Sequence, residues 1–410
     1  MTDLGLRLTS ALGLFVMISI AWLCSSDRRH VPWRTVVTGT AIQFLLGLLL
    51  LRTDPGRAFF VGMNDAVNAL LGYTQAGAGF VFGALTGVGF SFVVNVLPVV
   101  IFMGAIFSIL HHLRLVEPVV RFLGHALART MGTSGAESLS AVANIFLGMI
   151  EAPLLVKPYL ERMTQSELFC VMTVGMAGIA GSVLLVYVQM LGGGEYAGHL
   201  VTASLLSAPA GILIAKVMVP ERVEAVTGGG LHAEVARPGR NLIDAAALGA
   251  MDGLRLVAYV GAMLLAFVSL IAMLNDGITG MGHLVGIEGL TMQKLLGWGL
   301  CPLAWVMGVP WTDAVPVGSL LGVKTVLNEF IAYDGLGKMI RDGVLAPRSA
   351  VIASYALCGF ANFGSLAILL GGMGGMAPSR RADIARLGLR SIVSGSLASF
   401  MTGCIAGILL

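Results

Sequence analysis

A stretch such as FVFGALTGVGFSFVVNVLPVVIFMGAIFSIL, residues 80–110, carries no charged side chain over more than the length of a bilayer-crossing helix, for which ~20 residues suffice. The run LFCVMTVGMAGIAGSVLLVYVQML at 168–191 repeats the pattern. A chain dominated by such runs folds with most of its length in hydrocarbon. Composition agrees, since 57% of residues are hydrophobic and 11% are charged, against roughly 25% charged in an ordinary soluble domain. The formal charge of +3 resides in loop arginines and does not point to nucleic acid. The expected class is an all-α integral membrane protein with eight spans, near 9–25, 37–51, 80–110, 168–191, 198–219, 245–274, 349–371 and 384–410.

The first run is not read as a cleaved signal peptide. Arg7 is the only basic residue before it, Arg28, Arg29 and Arg34 follow it, and no small-residue cleavage site ends it. The positive-inside rule then places the N-terminus, and after eight crossings the C-terminus, outside. With that threading, sixteen of the 25 Lys and Arg fall in the cytoplasmic loops 26–36, 111–137, 157–167, 216–244 and 376–390. The five cysteines sit in or beside apolar segments without paired spacing, and read as buried small hydrophobes.

Two apolar segments do not fit as crossings. The segment 138–157 is flanked on both sides by cytoplasmic loops, and 314–336 by outside loops, so each enters and leaves on one face. Such re-entrant hairpins are tolerated only where protein or a cavity satisfies their broken backbone. Each carries a glutamate with a nearby asparagine, in NIFLGMIE and VLNEFIAY. Each is followed about thirty residues later by a small-residue break, GIAGS at 178–182 and GFANFGS at 359–365. Because the hairpins enter from opposite faces, the halves are inverted repeats, an arrangement of secondary transporters that bind their cargo where helices break near the midplane. The chain divides into N-terminal scaffold helices and an interfacial segment (1–79), a first repeat (80–220), a cytoplasmic linker (221–244) and a second repeat (245–410). The segment near 291–311 receives no role in this scheme.

Glu151 and Glu329 are the foremost candidates for binding. A carboxylate at the bilayer centre costs about 2.5–3.5 kcal/mol on insertion scales, so it commonly marks a substrate or ion path. The alternative is a structural acid satisfied by a helix N-terminus or by a basic neighbour such as Lys324. Asn362 and Ser365 lie in the second break, where an amide and a hydroxyl can bind solute hydroxyls or bond between helices. Phe360 either stacks on a ligand or fills space. Asp252 and Arg255, three apart, read as a structural pair on one helix face. No nucleophile, base and orienting group fall together, so an enzyme is the minor reading.

GTSGAESLSAVANIFLGMIEAPLLVKPYL (132–160), GVKTVLNEFIAY (322–333) and CGFANFGS (358–365) closely resemble the hallmark stretches of the concentrative nucleoside transporter family, in order, from about residue 80 onward. The resemblance implies a homotrimer in the bacterial inner membrane, each protomer built from a scaffold and a mobile transport domain. It implies that Met149, Ile150 and Glu151 meet the nucleobase, that Glu329, Asn362 and Ser365 bind ribose hydroxyls, and that Phe360 lines the site. The family often has glutamine or methionine and then threonine before the first glutamate, whereas Met149 and Ile150 are both apolar here. Sodium is the expected coupling ion. Asn144 and Ser182 offer side-chain oxygens that do not titrate, and the resemblance adds backbone oxygens of Leu147 and Val183. Proton coupling, with Glu151 as carrier, is the alternative. The expected cargo is a nucleoside such as uridine, and accumulation of an unchanged solute separates symport from a channel or an enzyme.

Overall fold

Backbone amides in hydrocarbon have no water to bond, so apolar sequence of this length folds as helix. The structure, a computed structural model, describes residues 3–87, 91–223, 225, 227, 239–284 and 286–410; among them there are eighteen α-helices and no strand. In chain order they are α1 (Asp3–Leu23), α2 (Trp33–Arg52), α3 (Asp54–Phe82), α4 (Leu97–His112), α5 (Val116–Met131), α6 (Gly135–Phe146), α7 (Glu151–Leu154), α8 (Lys157–Leu160) and α9 (Gln165–Ala177). There follow α10 (Gly181–Met190), α11 (Ala197–Met218), α12 (Leu242–Leu284), α13 (Met292–Val306), α14 (Trp311–Val326), α15 (Glu329–Arg341), α16 (Pro347–Leu357), α17 (Phe363–Met376) and α18 (Arg381–Leu409).

The all-α membrane class holds, with differences in detail. Seven described helices are long and apolar enough to cross a bilayer: α1, α2, α4 with the π turn before it, α9 with α10, α11, α12 and α18. The span expected at 349–371 is divided into α16 and α17 by the break at 358–362, and neither half is long enough alone. The span expected at 80–110 begins at Phe92, because residues 80–82 close α3. Residues 88–90 and most of the expected linker lie outside the described residues, and residues 242–244 of that linker open α12. The unassigned segment near 291–311 is α13, which bends by 118° into α14 and packs along it.

Local chemistry starts and stops these helices. Ser134 and Glu137 form a capping box at the start of α6, and Thr164 and Glu167 form another at the start of α9; each satisfies two of the amides that a helix start leaves unpaired. Asn328 caps α15 by accepting from the Ile331 amide at 3.0 Å, and Asn362 caps α17 by accepting from the Ser365 amide at 2.8 Å. The long elements then sort by burial. The α9–α10 pair, α11 and α18 are each 89% buried over their most apolar window, whereas the corresponding window of α12 is 11% buried. The broken helices and their neighbours therefore form the core, and α12 forms an outer wall with α4.

That wall depends on close backbone approach. A Cβ at Gly249 of α12 would collide with the Gly104 carbonyl of α4, and Ser108 donates across the same crossing to the Ala245 carbonyl at 2.6 Å. We expect Gly249→Val to destabilise the protein by about 1–3 kcal/mol, the usual cost of overpacking. Gly277→Val in the same helix, where no atom lies within 4 Å of the added carbon, is the control. Thermal unfolding in detergent compares the two, and equal melting temperatures would refute the close-approach argument.

Candidate functional site

Four interruptions, at 147–150, 178–180, 327–328 and 358–362, border one cavity of about 390 Å³, a size within the range of small-molecule sites. Its other side is the wall of α4 and α12, including Val100, Phe107 and Tyr259. Every residue named from the sequence as a substrate or ion contact lines it except Asn144.

Glu329 is the first residue of α15 and is 3% exposed. Its carboxylate sits at a helix N-terminus, where the macrodipole favours an anion. Tyr187 donates its hydroxyl to Oε1 at 3.0 Å, and Asn362 Nδ2 donates to Oε2 at 2.7 Å. The Asn362 amide is fixed at both ends, since its Oδ1 caps α17 through the Ser365 amide. A carboxylate oxygen has two lone pairs, so each keeps acceptor capacity after its protein bond. The cluster is thus an anchored acceptor pair, suited to hydroxyl donors. Phe360 and Ser365 are buried beside it on the cavity wall. Lys324 does not neutralise Glu329 by direct pairing: no ion pair within 4 Å involves it among the described residues. Its Nζ donates to the Ala356 carbonyl at 2.9 Å and lies 5.7 Å from the Phe400 ring centroid.

The first hairpin tip behaves differently. Met149 is buried and Ile150 is half-buried, packed so closely on Gly372 of α17 that a Cβ there would collide with it. Glu151, read from the sequence as an acid on a substrate or ion path, is exposed to the cavity. Its carboxylate folds back over Gly148, where any side chain would strike Oε2. Glu151 is the first residue of the short α7, with Pro153 two positions on, so the acid stands at a helix start rather than inside a long helix.

Asn144 lies behind the cavity wall, 2% exposed. Its Nδ2 donates to the Val174 carbonyl at 3.0 Å, which fixes the amide orientation, and its Oδ1 has no hydrogen-bond partner. A buried acceptor without a donor is costly and fits a cation. Leu147, Ser182 and Val183 lie on the cavity face nearby, where the end of α6 meets the start of α10 and a Cβ at Gly181 would touch the Phe146 carbonyl.

Comparison with known proteins identifies the family. Family signatures described as the Na+ dependent nucleoside transporter N-terminus, nucleoside recognition, and the Na+ dependent nucleoside transporter C-terminus match residues 12–85, 93–194 and 199–407. The uncharacterized transporter YutK of Bacillus subtilis is 43% identical, over 97% of this chain and 98% of its own. The nucleoside permease NupC of Helicobacter pylori is 40% identical, over 98% and 97%. The solved structure of CNTnw in an inward-facing substrate-bound state superposes with a TM-score of 0.91 at 43% identity, covering 98% of both chains. The chain belongs to the concentrative nucleoside transporter family. Concentrative nucleoside transporters are membrane transporters and not enzymes.

Sequence reading missed Tyr187, which lies fully buried in α10, stacked on Tyr333 with ring centroids 4.4 Å apart. The signal in the sequence was a lone hydroxyl in LLVYVQM, because a buried tyrosine hydroxyl nearly always finds a partner. Within the concentrative nucleoside transporter fold this residue joins α10, the helix that carries Ser182 in its first turn, to the Glu329 carboxylate. Hydrogen bonds to charged groups contribute about 1.5–3 kcal/mol. Tyr187→Phe is accordingly expected to weaken nucleoside binding roughly ten- to hundredfold with the fold retained. Isothermal titration of the purified protein checks this, and unchanged affinity would remove Tyr187 from the site.

Proposed function

We propose that the protein carries nucleosides such as uridine into the cell by sodium-coupled symport across the bacterial inner membrane, as a homotrimer whose protomers each contain a complete site. The observation that carries the cargo reading is the Glu329 carboxylate, anchored by Tyr187 and Asn362 with acceptor capacity left at a cavity. Ribose presents vicinal hydroxyls, and a carboxylate accepts from such donors in strong charge-assisted bonds. Ser365 adds a hydroxyl to the ribose subsite, and Phe360 lines it. Met149, Ile150 and Glu151 form the base subsite. Its two apolar side chains donate nothing to a base edge, so Glu151 supplies the polar contact.

Support for sodium is the unpartnered Oδ1 of Asn144. Sodium is a hard cation that takes several oxygens, and broken helices supply them as carbonyls; we assign Asn144, Ser182 and the backbone oxygens of Leu147 and Val183 to this ion. Proton coupling is the competing reading, because Glu151 is open to the cavity. Uridine uptake into proteoliposomes at fixed pH decides between them. The sodium reading requires accumulation that collapses when choline replaces sodium, and persistence in choline under a proton gradient would overturn it.

The cargo reading has its own test. Glu329→Gln keeps the shape but turns one acceptor oxygen into a donor amide that cannot accept a ribose hydroxyl. Uridine affinity should fall roughly ten- to hundredfold, following the loss of a charge-assisted hydrogen bond. Near-normal uridine binding by the purified variant would count decisively against the ribose assignment.

A further inference from the structure

The two repeats place different chemistry at one equivalent point. Asn144 stands two residues before the end of α6, and its Nδ2 donates to the Val174 carbonyl near the end of α9. Lys324 stands two residues before the end of α14, and its Nζ donates to the Ala356 carbonyl near the end of α16. Both receiving helices stop at a break, α9 at 178–180 and α16 at 358–362. A helix C-terminus leaves carbonyls unpaired and carries the negative end of the macrodipole, so each break is a place for positive charge. The first holds an acceptor without a partner, Asn144 Oδ1. At the second, an ammonium already stands.

That ammonium is unusual among the buried lysines. Lys216, 5% exposed, has Glu137 and Glu221 within ion-pair distance at 2.5 and 3.1 Å. Lys324 is 0% exposed and, among the described residues, has a carbonyl and the face of Phe400 but no carboxylate within 4 Å. A buried charge is retained where it is paired or used. We propose that Lys324 is a resident cation, holding in the second repeat the place that the coupling sodium ion holds in the first. The inference rests on the sodium reading of the Asn144 site. Lys324 joins the second hairpin to the end of α16 permanently, which keeps Glu329 and Asn362 assembled without an ion. Only the first hairpin then awaits a cation, and one sodium ion serves each protomer.

The test uses the purified full chain, reading thermal unfolding and uridine binding as sodium is titrated against choline. A Hill coefficient reaches at most the number of interacting sites, so the wild type should follow sodium with a coefficient of about 1. Lys324→Asn opens a second cation site that resembles the first, raising the sodium needed for half-maximal stabilisation at least several-fold and the coefficient toward about 2. Lys324→Met, which offers neither charge nor oxygen, loses uridine binding at every sodium concentration. A Lys324→Asn protein with the wild-type midpoint and slope overturns the inference while leaving sodium coupling intact. Indifference of the wild type itself to sodium overturns the sodium reading and this one with it. Should Lys324→Asn not fold, radioactive sodium binding to the wild type decides, and two ions per protomer overturns the inference.

Discussion

Each interruption of a helix in hydrocarbon exposes amides and carbonyls that lipid cannot satisfy, and this constraint organises the molecule. At the second repeat the protein answers with two asparagines. Asn328 caps α15 and Asn362 caps α17, and Asn362 also donates from its amide nitrogen to Glu329. The residue that closes the helix is therefore the residue that aims the carboxylate. At the first repeat no side chain caps α7 or α10, and the acid beside the break faces the cavity. The breaks that carry function are thus stitched in one half and left open in the other.

Electrostatics follow from the same geometry. Placing a carboxylate near the bilayer centre costs about 2.5–3.5 kcal/mol. Glu329 recovers this from two hydrogen bonds to a charged group, each worth about 1.5–3 kcal/mol, and from its place at a helix start, worth up to ~2 kcal/mol in partly buried settings. No direct counter-ion is needed. An acid held by neutral donors keeps spare lone pairs, whereas a bidentate salt bridge would have consumed the lone pairs that a hydroxyl-bearing solute requires.

Much of this was legible in the sequence, for identifiable reasons. A charged residue in an apolar run is conspicuous, so Glu151 and Glu329 stood out, and glycines around an asparagine in GFANFGS marked the second break. Hydropathy averages over windows, however, and cannot place an interruption that is itself apolar. For that reason 349–371 read as one span and Phe92 was missed as the true start of another. The way the Glu151 carboxylate folds back over Gly148 was also hidden, because it is set by the local backbone and not by the polarity of neighbours. Tyr187 and the carbonyl partner of Lys324 involve residues 142 and 32 positions away. Contacts at such separations leave no periodic trace in one chain.

The two sides of the cavity differ in a way that bears on transport. The anchored acid and amide come from the hairpins and broken helices, while much of what α4 and α12 present there is apolar, as at Val100, Phe107, Val260 and Met263. Hydrogen bonds between two bodies must break when one moves past the other, and apolar contacts exchange with little directional penalty. If the hairpin-bearing body is the mobile one, as the resemblance implies, the nucleoside's polar contacts travel with it and the wall is left behind. Recognition and movement are then separated in space. The polar groups facing this cavity from the wall, Ser108, His111, Asp252 and Tyr259, are where that separation is incomplete. Ser108 donates its hydroxyl hydrogen to the Ala245 carbonyl and Asp252 accepts from Arg255 at 3.1 Å, so two of these groups face a passing solute with part of their bonding capacity already engaged within the wall.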